Sequence, residues 1–381
     1  MRAASVSDYR ELARRRLPNI FFEYIDGGSY AEATLARNVA DIEAIALRQR
    51  VMRDMTKLDM SIETLGQKLA MPVGLAPVGM AGMYAHRGEV QAARAAAEIG
   101  VPFCLSTVGV CSVEEVAKAG VAPWFQLYML KDRGYMRSLI ERAKALGCPV
   151  LVFTVDLPVP GSRYRDVRSG FTGSSGLSGA LNTAWDGITH PAWTWDLFVH
   201  GRPHTLGSVA GAVTESRRVT DFLAWIARNF DRSVTWADLD WVRETWDGPI
   251  VVKGVLDPQD ARDAVKAGAQ GLVVSNHGGR QLDGVRSSIS ALPAIADAVG
   301  SDLEVYMDGG IRSGLDVLKA LALGAKACFV GRAWAYALGA GGQTQVAKML
   351  GILRAELAVA MILTGCTSAR DAGRDLLDLG V

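Results

Sequence analysis

Eight short apolar runs, most followed by a helix-like stretch, recur along this chain and limit its fold more than any other feature. They occupy residues 71–76, 102–106, 124–127, 150–155, 250–253, 272–275, 303–307 and 327–330. Helix-like segments at 89–99, 132–146, 257–266 and 314–323 follow several of them. Repeated alternation of this kind favours a parallel sheet with helical crossovers. Eight such units in 381 residues predict an α/β fold closed into a (β/α)8 TIM barrel rather than an open doubly wound sheet. The glycine fingerprint GxGxxG is missing after the first run, which weighs against the open sheet. The expectation is one domain over 1–381, with an N-terminal helical segment at 1–60 and a long insertion after strand four, about 160–235.

Composition narrows the function classes. With 49% hydrophobic residues the chain can bury a large core, and a net charge of +1 gives no reason to expect a nucleic-acid partner. Five cysteines lack both CxxC and metal-ligand spacing, so neither a metal site nor a disulfide framework is expected. No apolar stretch near residue 1 resembles a signal peptide, and none approaches a membrane span. These features predict a cytoplasmic protein that can touch a membrane only peripherally.

A barrel makes a specific demand: chemistry clusters at the C-terminal ends of its strands. Those ends read Ala76-Pro77-Val78-Gly79, Ser106-Thr107, Gln126-Leu127-Tyr128, Thr154-Val155-Asp156, and Lys253-Gly254. The sixth is Ser275-Asn276-His277-Gly278-Gly279-Arg280-Gln281, which launches a proton-transfer group and a carboxylate-gripping group together. The seventh and eighth, Asp308-Gly309-Gly310-Ile311-Arg312 and Gly331-Arg332, are glycine-rich turns with arginines where barrels commonly hold phosphate. Lys253 ends an apolar run and points its ammonium at the barrel mouth. A Schiff base and electrostatic stabilisation of negative charge are both open to it.

The Ser275–Gln281 motif resembles the signature of the FMN-dependent 2-hydroxy acid dehydrogenase and oxidase family, and the similarity runs over essentially the whole chain. The runs 22–28, 75–80, 163–166, 189–191 and 201–204 are similar to its bacterial respiratory, L-lactate-oxidising branch. The resemblance implies FMN as cofactor, oxidation of L-lactate to pyruvate, His277 as catalytic base and Asp156 as its orienting carboxylate. It implies that Arg280 and Arg163 hold the substrate carboxylate, with Tyr24 and Tyr128 donating to substrate oxygens. Ala76, Val78, Ser106, Gln126, Thr154 and Ser275 would frame the flavin, and Lys253 would stabilise charge at the N1/O2 edge of its ring. Asp308 would bind the ribityl chain, while Gly310, Arg312, Gly331 and Arg332 would hold the phosphate. A homotetramer is implied on the same ground. Related alternatives are an oxidase using oxygen, a mandelate-type dehydrogenase, an FMN-dependent isopentenyl diphosphate isomerase, and a catalytically silent flavin-binding barrel.

The destination of the electrons turns on the insertion. Seven of the nine tryptophans lie between Trp185 and Trp246, and Trp185, Trp193 and Trp195 fall inside it, near Arg202, His204, Arg217 and Arg218. Tryptophan suits membrane interfaces and arginine suits anionic headgroups. A lid packed on the barrel or on a neighbouring subunit is the other reading. The resemblance favours peripheral contact with the cytoplasmic face of a bacterial inner membrane and quinone as acceptor. Gly79 points the same way, since many oxidases of the family carry alanine there.

Overall fold

The computed structural model describes residues 2–171, 185, 187–212, 225 and 228–378. Eight parallel strands form its centre: β1 (Val73–Leu75), β2 (Cys104–Ser106), β3 (Trp124–Tyr128), β4 (Leu151–Thr154), β5 (Ile250–Val255), β6 (Gly271–Val274), β7 (Glu304–Asp308) and β8 (Ala327–Val330). Each strand pairs with its sequence neighbour from β2 to β8, and β8 pairs with β1. A bridge between Leu75 and Phe103, with the Leu75 N–H donating to the Pro102 carbonyl at 2.9 Å, closes the ring. The expected TIM barrel is therefore present, each strand within two residues of its predicted limits.

Three helices precede the barrel: α1 (Val6–Arg16), α2 (Asn19–Asp26) and α3 (Ala33–Glu43). Helix therefore stops well short of residue 60, and Ala46–Leu47 instead pairs antiparallel with Leu377–Asp378. The crossovers are α4 (Gly88–Ile99), α5 (Val113–Lys118) and α6 (Arg133–Ala145), then α7 (Tyr164–Arg168), α8 (Pro191–Trp195) and α9 (Asp238–Arg243) within the excursion between β4 and β5. After them come α10 (Pro258–Lys266), α11 (Ser288–Val299), α12 (Gly314–Ala322) and α13 (Arg332–Thr364). Local signals set their ends. Asp257 caps α10 through the Gln259 N–H with Pro258 in its first turn, and Ser313 and Asp316 form a capping box on α12. α11 contains Pro293 and α13 bends at Gly341 and Gly342, so neither gives a clean periodic pattern.

The bottom of the barrel is filled. Trp124 of β3 meets Tyr306 of β7 and Phe329 of β8, with ring centroids 6.1 and 5.4 Å away. Strands on opposite sides of the ring can share such contacts only through its interior. Room for the rings comes from Gly74 and Gly271, where a Cβ would lie 2.6 Å from Phe329 and 2.9 Å from Tyr306. A hairpin, Ile62–Thr64 with Gln67–Leu69, covers this end. Gln67 accepts from the Trp124 indole at 3.1 Å, and Thr64 hydrogen-bonds to Glu304 and Tyr306.

Part of the expected 160–235 insertion, residues 172–184, 186, 213–224 and 226–227, lies outside the described residues, Arg217 and Arg218 among them. The described part of the excursion includes a stretch, 187–212, that docks inward by Trp193, whose indole donates to the Met83 carbonyl at 2.9 Å, and by buried Leu197, Leu206 and Val209. Trp185, Ile188, Trp195, Phe198 and Val199 face outward, each at least half exposed.

Candidate active site

A cavity of about 550 Å³ opens at the C-terminal end of the barrel under α2. Thirteen of the residues expected from sequence line it: Tyr24, Ala76, Val78, Tyr128, Arg163, Lys253, His277, Arg280, Asp308, Gly310, Arg312, Gly331 and Arg332. The other five, Ser106, Gln126, Thr154, Asp156 and Ser275, stand behind that lining at the same strand ends. Ser106, Gln126, Thr154 and Ser275 are all buried, and Asp156 is largely so.

His277, Gly278 and Gly279 take left-handed backbone conformations in succession, with φ of 58°, 66° and 72°. Glycine accepts this region freely, whereas histidine visits it less often. The Ser275 hydroxyl secures the turn by accepting the His277 N–H at 3.0 Å. Gly279 is required because a Cβ there would lie 2.6 Å from the Leu35 nitrogen of α3. The turn aims the imidazole into the cavity, with Nδ1 against Asp156 Oδ1 at 3.0 Å. An Nδ1–H donated to that carboxylate leaves the Nε2 lone pair as the basic position. Burial raises the Asp156 pKa, yet His277 and Lys253 outweigh it, so the carboxylate sits below its ordinary value and stays charged. Space for Asp156 comes from Gly254, the irregular position in the β5–β6 ladder, with φ of 111°. A Cβ on Gly254 would stand 2.5 Å from the Asp156 carboxyl carbon.

Two groups of cations divide the cavity. Arg163 and Arg280 lie against the Tyr24 ring, 5.8 and 4.8 Å from its centroid. Burial and the neighbouring Arg280 push the Arg163 pKa down, and Asp166 at 3.7 Å only partly compensates. Arg280 Nη1 donates to the Tyr24 and Gly27 carbonyls at 2.6 and 2.7 Å. These two guanidiniums form a site that a carboxylate would relieve.

Arg332 and Arg312 form the second group. Burial, with Arg280 and Arg312 adding repulsion, drives Arg332 down to about 9 despite the opposing pull of Tyr336. Its guanidinium donates to the carbonyls of Ile25, Gly27 and Gly278 at 3.0, 2.7 and 2.8 Å, so it ties α2 to the β6 loop as well as lining the cavity. A cluster of cations beside the start of α13 favours a dianion. Gly310 owes its identity to a different neighbour: a Cβ there would lie 2.2 Å from the Asn38 carbonyl of α3.

Lys253 is buried, with Nζ 2.8 Å from Asp308 and 2.9 Å from the Ser275 hydroxyl. Burial lowers its pKa, but Asp308 and Asp156 more than offset that and raise it. An ammonium held between two carboxylates is a poor amine nucleophile, so the geometry favours the electrostatic role over a Schiff base. A flavin nucleotide suits this donor set. Gln126 Nε2, Thr154 Oγ1 and Asp308 Oδ1 are buried without a hydrogen-bond partner among the described residues, and buried polar atoms rarely remain so.

Sequence reasoning passed over several residues that build the site. Asn38 and Asn276 exchange amide hydrogen bonds of 2.8 and 2.7 Å, clamping α3 to the loop that carries His277. Asp26 binds Arg10, Arg165 and Tyr336. Phe171 and Phe230 line the cavity beside the tyrosines. The glycine-histidine motif signalled the loop after β6, whereas these partners carry no local pattern of their own.

Comparison with known proteins agrees with this geometry. A family model described as FMN-dependent dehydrogenase matches residues 13–379. The chain is 57% identical over 372 residues to an L-lactate dehydrogenase of Ectopseudomonas mendocina (strain ymp), covering 97% of both chains. It is 58% identical over 369 residues to an L-lactate dehydrogenase of Haemophilus influenzae (strain PittEE), covering 97% of this chain and 96% of the relative. Among solved structures, a monotopic membrane protein, (S)-mandelate dehydrogenase, is similar with a TM-score of 0.92 and 33% identity, with 100% of both chains covered. A closed barrel, a histidine–aspartate pair beside two arginines, and a family match over nearly the full length lead to one conclusion: the chain is an oxidoreductase belonging to the FMN-dependent dehydrogenase family.

Proposed function

We propose that this enzyme oxidises L-lactate to pyruvate and passes the electrons to a membrane quinone. The observation that carries the reading is the His277–Asp156 pair facing Arg163 and Arg280 within one cavity. The two arginines hold the carboxylate, Tyr24 and Tyr128 donate to substrate oxygens, and His277 Nε2 takes a proton from the 2-hydroxy acid. Asp156 fixes the tautomer and stabilises the imidazolium that forms. FMN, when bound, supplies the two-electron acceptor. Ala76, Val78, Ser106, Gln126, Thr154, Lys253 and Ser275 would border its ring system, Asp308 its ribityl chain, and Gly310, Arg312, Gly331 and Arg332 its phosphate. Lys253 would supply positive charge to offset negative charge on the reduced cofactor.

The test is anaerobic mixing of the purified flavoprotein with a panel of 2-hydroxy acids while flavin absorbance is followed. L-lactate should bleach it fastest; no bleaching by any member would refute the assignment.

Outward-facing Trp185, Ile188, Trp195, Phe198 and Val199 support peripheral attachment to a membrane; the cytoplasmic face of the inner membrane, next to the quinone pool, follows from the proposed acceptor. Among the described residues no helix is long and apolar enough to cross a membrane. Quinone rather than oxygen as acceptor rests on Gly79, the residue by which the chain resembles the dehydrogenases of the family rather than its oxidases. Oxygen uptake measured against quinone-analogue reduction with the same substrate separates the two acceptors. A homotetramer completes the reading and is checked by light scattering.

A further inference from the structure

The two ends of the β4–β5 excursion stand on the two tyrosines of the substrate half. Soon after β4 the chain reaches Phe171, whose ring lies 4.6 Å from that of Tyr24 with the planes 31° apart. Where it returns, it pairs with the residues that follow β3. Leu130 bridges Phe230, the Lys131 N–H donates to the Asn229 carbonyl at 2.9 Å, and the Asp231 N–H donates to the Met129 carbonyl at 3.1 Å. That register sets Phe230 edge-on to Tyr128, with centroids 5.5 Å apart and planes at 86°. Both phenyl rings are buried and line the cavity that His277 and Arg280 share.

A 2-hydroxy acid has three groups to place around its reacting carbon. The carboxylate goes to the guanidiniums and the hydroxyl to His277 and Tyr128. The remaining hydrocarbon substituent is left to the apolar lining, in which Phe171 and Phe230 stand beside the two tyrosines while the third phenylalanine, Phe329, belongs to the barrel floor. We infer that Phe171 and Phe230 are specificity-determining residues: they wall off the space for that substituent, restrict it to short aliphatic chains, and hold Tyr24 and Tyr128 in position. The excursion thus shapes the substrate pocket through its two ends, whatever its middle contacts. This inference rests on the reading of the cavity as a 2-hydroxy acid site.

The experiment compares wild-type, Phe230→Ala, Phe230→Leu and Phe171→Ala holoenzymes, each mixed with L-lactate, L-2-hydroxyhexanoate or (S)-mandelate under the same conditions. A general loss of folding lowers kcat/KM for all three alike, so the ratio between substrates isolates the wall. In Phe230→Ala the mandelate-to-lactate ratio should rise at least about ten-fold, mainly through a lower KM for mandelate. Phe171→Ala should raise the hexanoate ratio, and Phe230→Leu should fall between alanine and wild type. If Phe230→Ala does not retain FMN, the leucine and Phe171 variants decide the matter by the same ratios. Ratios unchanged from wild type in flavin-loaded variants would overturn the inference. A wild-type flavin that no 2-hydroxy acid bleaches would instead sink the site assignment on which it stands.

Discussion

His277 performs its proposed task from a backbone conformation that most side chains avoid, and three neighbours keep it there. Ser275 holds its N–H, Asp156 holds its Nδ1, and Gly254 leaves the gap that Asp156 fills. Replacing His277 by glutamine removes the base while leaving the volume nearly intact. Flavin reduction by L-lactate should slow by about 10²–10⁴-fold in stopped flow with FMN still bound. Fast reduction in that variant would remove His277 from the base role. Gly254→Ala tests the support rather than the base. Its new Cβ meets Asp156 and its φ of 111° disfavours any side chain. We expect kcat to fall with little change in KM for lactate, because Arg163 and Arg280, the proposed carboxylate holders, are untouched. The sequence identified His277 and Asp156 as strand-end residues, and placed Gly254 beside Lys253 at another strand end without a role of its own. Its role depends on a ladder irregularity that only three-dimensional pairing creates.

At the scale of elements, the N-terminal helices roof the cavity, and a few polar anchors hold them there. Asp26 at the end of α2 binds Arg10 of α1, Arg165 of α7 and Tyr336 of α13. Burial raises its pKa, but Arg10, Tyr336 and Arg165 together pull it from 3.8 down to about 2. A carboxyl whose folded pKa is depressed stabilises the fold above its unfolded value and stops doing so as pH falls through the folded one. The stability from Asp26 is therefore complete above about pH 4 and drains away toward pH 2, amounting to about 2 kcal/mol. In urea melts Asp26→Asn should lie below wild type by about that amount at pH 7, and the gap should close between pH 4 and 2. A constant gap would mean that Asp26 acts by packing alone. The barrel strands were legible because buried parallel strands are near-continuous apolar runs. The Asn38–Asn276 clamp was not, since its partners are 238 residues apart and neither belongs to a repeating pattern. α11 and α13 were not among the helix-like segments given by residue number, and Pro293 and Gly341–Gly342 interrupt their periodicity.

At the scale of the whole molecule, the described stretch 187–212 of the excursion after β4 has an inner face fixed by Trp193 and Leu197 and an outer face of exposed aromatic and aliphatic side chains. Trp195→Glu with Phe198→Glu puts two carboxylates on that outer face, away from the cavity. The double variant should sediment less with vesicles containing anionic lipid, while flavin reduction by L-lactate stays at the wild-type rate. Sedimentation equal to wild type would separate this face from membrane binding. The tryptophan cluster flagged this segment in the sequence, but sorting inward from outward residues needed the fold, because its helical turns are too short to show a periodic face. The plugged floor of the barrel governs traffic. With Trp124, Tyr306 and Phe329 sealing the lower end, and Phe329 also lining the cavity, substrate and product share the upper mouth. Entry of one then waits on departure of the other. Pyruvate should compete with lactate for the oxidised flavoprotein, raising the apparent Kd for lactate in anaerobic stopped-flow reduction without lowering the limiting rate.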